Sequence, residues 1–346
     1  MIISYDEITK NKQWWSQLSE DEREEYVQKV FRYYRINGFP FYVYPPEKIQ
    51  NELEKLYKFD KELISNCEVK QTMHGLGLCW SYFPHAFEVR NLTAKSPIDI
   101  FIDNELFLTA IRKRVKFGDN ISDAGIRKAI RKYGGVGVSN FRPTAAYAIY
   151  KKYGGDGVIW DMSGGYGGRL LGAFMSKKIN HYIATEPDKR TTQGLEKMGI
   201  DILSHATIPL KYIQIFPQGS EDFKPWRENF IDLCFTSPPY FNTERYSDEP
   251  TQSYIKFPKY NDWLEGFWEK TLKNCMYGLK SGGHLVFNVA NVKTAPSLTT
   301  DCCDIAKKVG FQLVDTLQLQ LSGRPHKIIE KAFKYEPIYV FTKRIK

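Results

Sequence analysis

From residue 156 onward, short apolar runs alternate with longer amphipathic stretches. This alternation is typical of β/α units around a mostly parallel sheet. Seven runs are predicted as strands: 157–160, 182–185, 212–216, 231–236, 284–289, 312–319 and 337–342. Helix candidates separate the first five, whereas too few residues for a comparable helix join the last two. The pattern therefore predicts an α/β fold, a Rossmann-like doubly wound sheet of seven strands that ends in a long hairpin with an antiparallel last strand.

The first 135 residues follow a different pattern. Helices are predicted at 19–34 and 47–58, with a turn at 37–40 and irregular aromatic sequence afterwards. We expect a helical or mixed region over 1–135 that contacts DNA, and a main domain over 136–346. Residues 112–132 hold eight cationic and two acidic side chains. Arg112, Lys113 and Arg114 are therefore candidates for phosphate contact, with a solvated helix face as the alternative.

Composition narrows the possible classes. A chain of 346 residues with 42% hydrophobic and 26% charged residues can bury a large core, which excludes a wholly disordered protein. No apolar run reaches the roughly 20 residues of a spanning helix, and no secretory signal is found, so we expect a cytoplasmic protein without membrane contact. The formal charge of +9 favours a polyanionic partner. The six cysteines lack metal-ligand spacing, so buried free thiols and no metal site are expected.

A glycine-rich loop follows the first predicted strand. The sequence WDMSGGYGGRLL places Asp161, Ser163, Gly165 and Gly167 between that strand and an amphipathic helix. Glycines let the backbone approach a ligand, and a helix N-terminus offers free amide donors. A small cofactor is therefore predicted here, although the spacing differs from the dinucleotide G-x-G-x-x-G.

Polar residues also follow the second and third predicted strands. Glu186 ends the second, where a carboxylate can accept hydrogen bonds from two ribose hydroxyls. After the third strand, four polar side chains are candidates for the edge of an adenine ring: Gln218, Ser220, Glu221 and Asp222.

The fourth predicted strand stops abruptly at Thr236, Ser237, Pro238, Pro239 and Tyr240. Proline lacks an amide donor and fixes φ, so the chain must leave the sheet there in a rigid conformation. At the carboxyl edge of such a sheet, a serine hydroxyl, a backbone carbonyl and an aromatic ring can together bind a planar group that carries an amino substituent.

The glycine loop followed by TSPPY resembles the S-adenosylmethionine-dependent amino methyltransferases of DNA, over about residues 138–346. The resemblance implies S-adenosylmethionine as cofactor and DNA as substrate, and it leaves open a cognate restriction nuclease as partner. It adds Ser163 and Thr236 to the cofactor residues, and it places a segment over the methionine part of the cofactor: Phe141, Arg142, Pro143 and Thr144. The loop departs from the family in reading MSGGYGG, which weakens the assignment of the methionine contact.

The resemblance also implies a mechanism. Ser237 and the Pro238 carbonyl would accept hydrogen bonds from the amino group of a flipped base, and Tyr240 would stack on that base. In this family a serine before Pro-Pro-Tyr is more typical of cytosine-N4 than of adenine-N6 methylation, so cytosine is favoured. Further DNA contacts are expected from Arg245, Arg324 and Lys327.

Other functions remain compatible with the sequence. The same residues could methylate guanine in RNA or a protein amide, although an asparagine more often precedes Pro-Pro-Tyr in those enzymes. A DNA-binding module without catalysis is disfavoured because the motifs are intact. A cytosine ring-carbon methylase would need a nucleophilic Pro-Cys pair, which the chain lacks.

Overall fold

The computed structural model describes residues 3–10, 12–15, 17–92, 94–135, 137–205, 209–321 and 334–344. Its main feature is a mixed sheet of nine strands in the order β1-β2-β10-β11-β9-β7-β4-β5-β6. Two further strands, β3 and β8, pair with each other. The strands are β1 (Ile64–Ser65), β2 (Glu68–Val69), β3 (Arg90–Asn91), β4 (Val158–Asp161), β5 (His181–Thr185), β6 (Tyr212–Phe216), β7 (Ile231–Thr236), β8 (Glu244–Arg245), β9 (Leu279–Asn288), β10 (Phe311–Gln320) and β11 (Tyr335–Lys343).

The doubly wound fold is confirmed. Strands β6, β5, β4, β7 and β9 pair in parallel, and β11 runs antiparallel to both of its neighbours. The chain goes from β4 outward to β5 and β6, then returns to the other side of β4 as β7. Between β5 and β7, β4 is therefore the point at which strand order reverses, where ligands bind in such sheets.

The predicted number of strands is wrong, because the sheet has nine strands and not seven. The seven predicted runs all form strands, and β1 and β2 join them from the N-terminal third. Glu68 and Val69 pair in parallel with Gln318 and Leu319 of β10. The β10–β11 hairpin therefore does not end the sheet. Strands β1 and β2 have only two residues each, too short for a periodicity in the sequence to show.

Helices connect and cover these strands. They are α1 (Tyr5–Ile8), α2 (Lys12–Trp15), α3 (Glu20–Asn37), α4 (Pro46–Tyr57), α5 (Leu76–Tyr82), α6 (Pro97–Ile102), α7 (Asn104–Lys116), α8 (Asp123–Tyr133), α9 (Pro143–Tyr153), α10 (Gly168–Ser176), α11 (Lys189–Leu203), α12 (Ser253–Lys256), α13 (Tyr260–Trp263), α14 (Lys270–Gly278) and α15 (Leu298–Val309). A 3₁₀ turn spans Pro84–Glu88, and a π-helical segment, Leu264–Glu269, joins α13 to α14. Within the described residues, no helix combines the length and the apolar character that crossing a membrane would need.

The chain divides into two compact units. The first comprises Met1–Val43, Pro84–Ser139 and Glu244–Tyr246, and the second comprises Tyr44–Phe83, Asn140–Thr243 and Ser247–Lys346. These units do not follow a single boundary after residue 135, because residues 44–83 pack with the sheet. The physical reason is that this segment supplies β1, β2 and two helices, α4 and α5, which lie against α10 and α11.

The first unit is helical, with the short β3–β8 ladder. Its core is formed by buried apolar side chains from α3, α6, α7 and α8. Serine caps begin four of its helices, because each serine accepts a hydrogen bond from the backbone amide three residues later: Ser4, Ser19, Ser96 and Ser122.

The second unit has its apolar core around the sheet, where β7 is buried along its whole length. Five of the six cysteines of the chain are buried free thiols, as predicted, and Cys67 is exposed.

Candidate functional site

The glycine-rich loop lies where β4 ends and α10 begins. Gly165 and Gly167 have positive φ angles of 54° and 72°, in the left-handed region that side chains disfavour. The Gly164 amide donates to the carbonyl of Thr185 at the end of β5. The loop therefore lies at the carboxyl edge of the sheet, at the point of strand reversal.

Asp161 lies beneath this loop and is fully buried. Its two carboxylate oxygens each accept from Nε of Arg169 at 2.9 Å, and Oδ2 also accepts from the Tyr182 hydroxyl at 2.5 Å. The backbone amide of Ser163 donates to Oδ1 at 3.2 Å. The carboxylate that the sequence assigned to the cofactor thus accepts four hydrogen bonds from three protein donors, and it ties β4, β5, the loop and α10 together.

The segment that begins with Phe141 lies against the same loop. Asn140 donates from its side chain to the carbonyl of Tyr166 at 2.8 Å. A Cβ on Gly168 would lie only 1.9 Å from the carbonyl oxygen of Phe141. The Phe141 ring packs edge-on against Phe235 of β7, with ring centroids 5.3 Å apart. The structure therefore brings together two motifs that are about 20 residues apart in the sequence.

The remaining residues of that segment begin α9. Arg142 is the N-cap residue, and Pro143 takes the first helical position, where its missing amide costs nothing. The hydroxyl of Thr144 is buried and accepts from the amide of Thr72 at 2.9 Å. Thr144 therefore anchors the helix to the segment before α5.

Glu186 follows β5 and is buried beside the loop. Its carboxylate accepts from the Gly165 amide at 2.9 Å and from the Asp188 amide at 3.1 Å. Burial raises the pKa of Glu186 to about 7, because removal from water penalises the charged form more than these two bonds favour it. A ligand that donates further hydrogen bonds would stabilise the ionised form.

The residues after β6 are arranged less simply than the sequence suggested. The Ser220 hydroxyl is buried against the Thr271 hydroxyl at 2.8 Å. Oε1 of Glu221 accepts from Lys256 at 2.9 Å, while Oε2 is buried with no hydrogen-bond partner in the described part of the chain. Asp222 is exposed and also pairs with Lys256. Of the four residues proposed for the adenine edge, Glu221 alone therefore keeps an unsatisfied buried acceptor.

The TSPPY segment leaves the sheet at the end of β7. Thr236 is buried and its hydroxyl has no partner among the described residues, and Ser237 is half-buried with an equally unpartnered hydroxyl there. The Pro239 carbonyl accepts from the Phe241 amide at 2.9 Å, whereas no backbone amide of the described residues donates to the Pro238 carbonyl. Three acceptors of this segment are thus available to a ligand: the hydroxyls of Thr236 and Ser237 and the carbonyl of Pro238.

Tyr240 is held by two residues that the sequence analysis missed. Its hydroxyl lies 3.3 Å from Oδ1 of Asn288, at the end of β9, and 3.3 Å from Oε2 of Glu336, at the start of β11. Asn288 in turn donates to the carbonyl of Pro337 at 2.9 Å. A polar residue that ends an apolar strand could have indicated Asn288. Glu336 reaches the same edge only because β11 is antiparallel.

Unsatisfied buried polar atoms provide a test of whether this edge suits a ligand. Such atoms cost free energy unless a ligand or water pairs with them. In the second unit, four of them belong to the loops at this edge or to the segments that follow: Glu221 Oε2, Thr236 Oγ1, Asn242 Oδ1 and Gln252 Nε2. With Glu186 and the glycine loop, this donor and acceptor set fits a nucleoside-containing cofactor.

The residues predicted to contact DNA differ in their surroundings: some pair with other protein groups, and others are exposed. Arg112 forms hydrogen bonds to both carboxylate oxygens of Glu24, and Arg114 donates to the carbonyl of Asn120 at 2.7 Å. Both guanidinium groups therefore join parts of the first unit. Lys113 and Arg245 are exposed, with no carboxylate partner among the described residues. Arg324 and Lys327 lie outside the described residues.

Comparison with known proteins gives one family match. A DNA methylase family model of the N6/N4 type matches residues 231–346, which include TSPPY, β9 and the β10–β11 hairpin. The match confirms the resemblance over this third of the chain and supports methyl transfer. It also implies S-adenosylmethionine as the cofactor, as the sequence predicted. No curated protein matches the chain.

Solved structures show more distant similarity. A methyltransferase from Pyrococcus furiosus has 17% identity and a TM-score of 0.40, with coverage of 59% of this chain and 83% of that one. An S-adenosylmethionine-dependent O-methyltransferase from Thermotoga maritima has 11% identity and a TM-score of 0.39, covering 60% and 68%. The N-methyltransferase NodS from Bradyrhizobium japonicum WM9 has 10% identity and a TM-score of 0.37, covering 58% and 94%. None of these values bears on the substrate.

Proposed function

We propose that this chain transfers a methyl group from S-adenosylmethionine to the exocyclic amino group of a base in DNA, with the 4-amino group of cytosine as the favoured target. The observation that carries the proposal is the TSPPY segment. It follows a fully buried central strand, next to the glycine loop, and presents the Ser237 hydroxyl and the Pro238 carbonyl, which have no hydrogen-bond partner among the described residues. The family match over residues 231–346 supports DNA as the substrate.

The cofactor would supply an electrophilic methyl group on a sulfonium. Glu186 would accept hydrogen bonds from the ribose hydroxyls, and Glu221 Oε2 would accept from the adenine amino group. The amides of the glycine loop and the segment from Phe141 to Thr144 would hold the methionine part. Asp161 acts through Arg169 and the loop backbone, because its own oxygens already have protein donors.

The chemistry at the base follows from the acceptors at TSPPY. Ser237 and the Pro238 carbonyl would accept the two hydrogens of the amino group, which draws the nitrogen lone pair out of conjugation with the ring. The nitrogen would then accept the methyl group from the cofactor, whose sulfur would keep the electron pair of the broken S–C bond, and the surplus amino proton would pass to water. The ring of Tyr240 would stack on the flipped base and replace part of the stacking lost from the duplex.

The direct test is incubation of the full chain with methyl-labelled S-adenosylmethionine and mixed-sequence duplex DNA, followed by nucleoside digestion and mass spectrometry. We expect label in 4-methylcytosine, and the loss of most of that label with the Tyr240→Ala variant. Label in 6-methyladenine would keep the mechanism and overturn the assignment of the base. Label in RNA or protein alone, with matched substrates, would overturn the proposal of DNA.

A further inference from the structure

The first unit carries an exposed cluster of aromatic and cationic side chains. Phe117, the residue after α7, stacks on Tyr133, the last residue of α8, with centroids 6.2 Å apart and planes 12° from parallel. Lys113 lies 5.4 Å from the Tyr133 centroid, and Lys132 lies 5.2 Å from that of Phe117. We call Lys113, Lys116, Phe117, Lys132 and Tyr133 the Phe117 surface.

Phe117 is unusual for a phenylalanine at a helix end, because 60% of its surface is exposed. Its ring is fixed against Tyr133 and not buried in the core, although the same helix buries Phe107 and Ile111 completely. A phenylalanine in this position leaves apolar area in water without adding to the core. Such a ring is suited to contact with a ligand.

The lysines of the Phe117 surface form no salt bridge with a carboxylate among the described residues, although the Tyr133 hydroxyl and the charge of Asp119 raise the pKa of Lys132. Lys113 and Lys132 lie beside the two rings, and α7 and α8 carry three more exposed cations. No salt bridge to a described residue is formed by any of the five: Lys113, Lys116, Lys128, Arg131 and Lys132. This contrasts with Arg112 and Arg114 on the same helix, which pair with Glu24 and Asp119. The cations of α7 and α8 that form no salt bridge therefore include the two lysines beside the exposed ring, Lys113 and Lys132.

The chemistry of this surface fits a polyanion with planar groups. Lysine ammonium groups attract phosphates without reading base edges, and an exposed aromatic ring stacks on any base. Within a duplex the flat faces of the bases are already covered by their neighbours, so a stacking platform needs an unpaired base. The combination matches single-stranded nucleic acid better than duplex DNA.

We propose that the Phe117 surface binds single-stranded DNA without sequence preference, with a base stacked on Phe117 and the neighbouring lysines on the flanking phosphates. This activity goes beyond the proposed methyl transfer and does not depend on it. The lysine ammonium groups, which lie near the rings in the free protein, have flexible stems and can move to phosphates while the rings stay in place.

The test measures the affinity of the full chain for fluorescent oligothymidylate and for a hairpin duplex of equal length, by anisotropy over a range of salt concentrations. Phe117→Ala is expected to weaken oligothymidylate binding about fivefold or more, because removing one stacked base typically has this effect. Phe117→Trp should retain binding. Ile36→Ala is the matched control, since Ile36 is an exposed apolar residue of the same unit, 73% accessible.

The lysines are tested through the salt dependence. Lys113→Gln with Lys132→Gln should reduce the slope of log affinity against log salt for single strands by about 1.4, the value for two lost phosphate contacts. Oligothymidylate binding that is unchanged in Phe117→Ala, or weakened equally in Ile36→Ala, would overturn the proposal. So would an unchanged slope in the double variant.

These outcomes are separate from those of the methylation assay. A chain that methylates no DNA but binds oligothymidylate through Phe117 would retain this inference and lose the proposed function. A chain that methylates DNA, but whose oligothymidylate binding is unchanged by Phe117→Ala, would retain the proposed function and lose this inference.

Discussion

Tyr240 shows how a single side chain at the carboxyl edge is fixed by its neighbours. A phenol has one proton, yet its oxygen lies 3.3 Å from two oxygens, those of Asn288 and Glu336. Both contacts are favourable when Tyr240 donates to Asn288 and a protonated Glu336 donates to Tyr240. Burial raises the pKa of Glu336, which favours that protonated form. The orientation of the Tyr240 ring therefore depends on two residues outside the motif.

This arrangement separates two substitutions at Tyr240. Tyr240→Ala removes the ring and should abolish most methyl transfer while cofactor affinity stays unchanged, since the ring is assigned to the base. Tyr240→Phe removes only the hydroxyl and should lower kcat/KM by about tenfold or less, the usual worth of one such hydrogen bond. Steady-state kinetics and cofactor titration calorimetry measure both. Normal turnover by Tyr240→Ala would contradict the stacking role.

Glu186 leads to a pH prediction for cofactor binding. Its pKa is raised to about 7 by burial, and ribose hydroxyls would donate to the ionised form. Binding therefore favours loss of the proton, and cofactor affinity should increase as the pH rises through about 7 and level off above it. Calorimetry between pH 6 and pH 8.5 measures the affinity, with the range chosen to span about one unit around that pKa. Glu186→Gln should bind more weakly and lose this part of the pH dependence; an unaltered profile would argue against the assignment.

At the scale of elements, the glycine loop and the start of α9 are held together by a backbone contact that no side chain can enter. Gly168 would bring a Cβ to 1.9 Å from the Phe141 carbonyl oxygen. Gly168→Ala should therefore displace one of the two segments and lose cofactor binding. Gly199→Ala in α11 is the control, because its Cβ would meet only Ile213 at 3.2 Å and alanine favours a helix by about 1 kcal/mol. Equal cofactor affinity in the two variants would show that the contact is dispensable.

The buried Asp161–Arg169 pair gives a second prediction at this scale. Arg169→Met leaves the carboxylate buried without its charge partner, and this should cost about 3 to 5 kcal/mol of unfolding free energy. Adding Asp161→Leu removes the stranded charge and should restore part of that loss. Urea unfolding of the single and double variants provides the comparison. A double variant less stable than Arg169→Met would mean that the hydrogen bonds from Tyr182 and Ser163 outweigh the charge.

The predictability of these elements from sequence follows from their physics. The glycine loop and TSPPY could be recognised because each is a local pattern at the end of an apolar run. One is a cluster of glycines, which can adopt positive φ angles, and the other is a pair of prolines. The pairing of Asp161 with Arg169 could not be, since nothing local distinguishes this arginine from other helix residues. Arg112 and Arg114 contribute to the cationic run, but their partners, Glu24 and Asp119, become apparent only when α3 and the loop after α7 are in place.

At the scale of the whole molecule, the sequence predicted the main strands and the antiparallel direction of the last one, but not which residues complete the sheet unit. Apolar periodicity reveals the strands from β4 onward, because each is long enough to alternate with a helix. Residues 44–83 have no such pattern, yet Phe83 is completely buried and lies against the positions where Gly167 and Gly194 have no side chain. Residues 44–83 belong to the sheet unit because they pack against residues far away in the sequence, and no local pattern in the sequence indicates such packing.

The division of the chain leads to a prediction about fragments. A fragment of residues 136–346, the main domain expected from the sequence, would lack β1, β2, α4, α5 and Phe83. The helices α10 and α11 and the edge of β10 would then expose apolar and backbone groups that these elements cover. We expect this fragment to aggregate or to melt without cooperativity, whereas a fragment of residues 44–346 keeps nearly the whole second unit. Circular dichroism melts of both fragments and the full chain test this: a cooperative transition of 136–346 at the temperature of the full chain would show that residues 44–83 add nothing to the stability of the sheet.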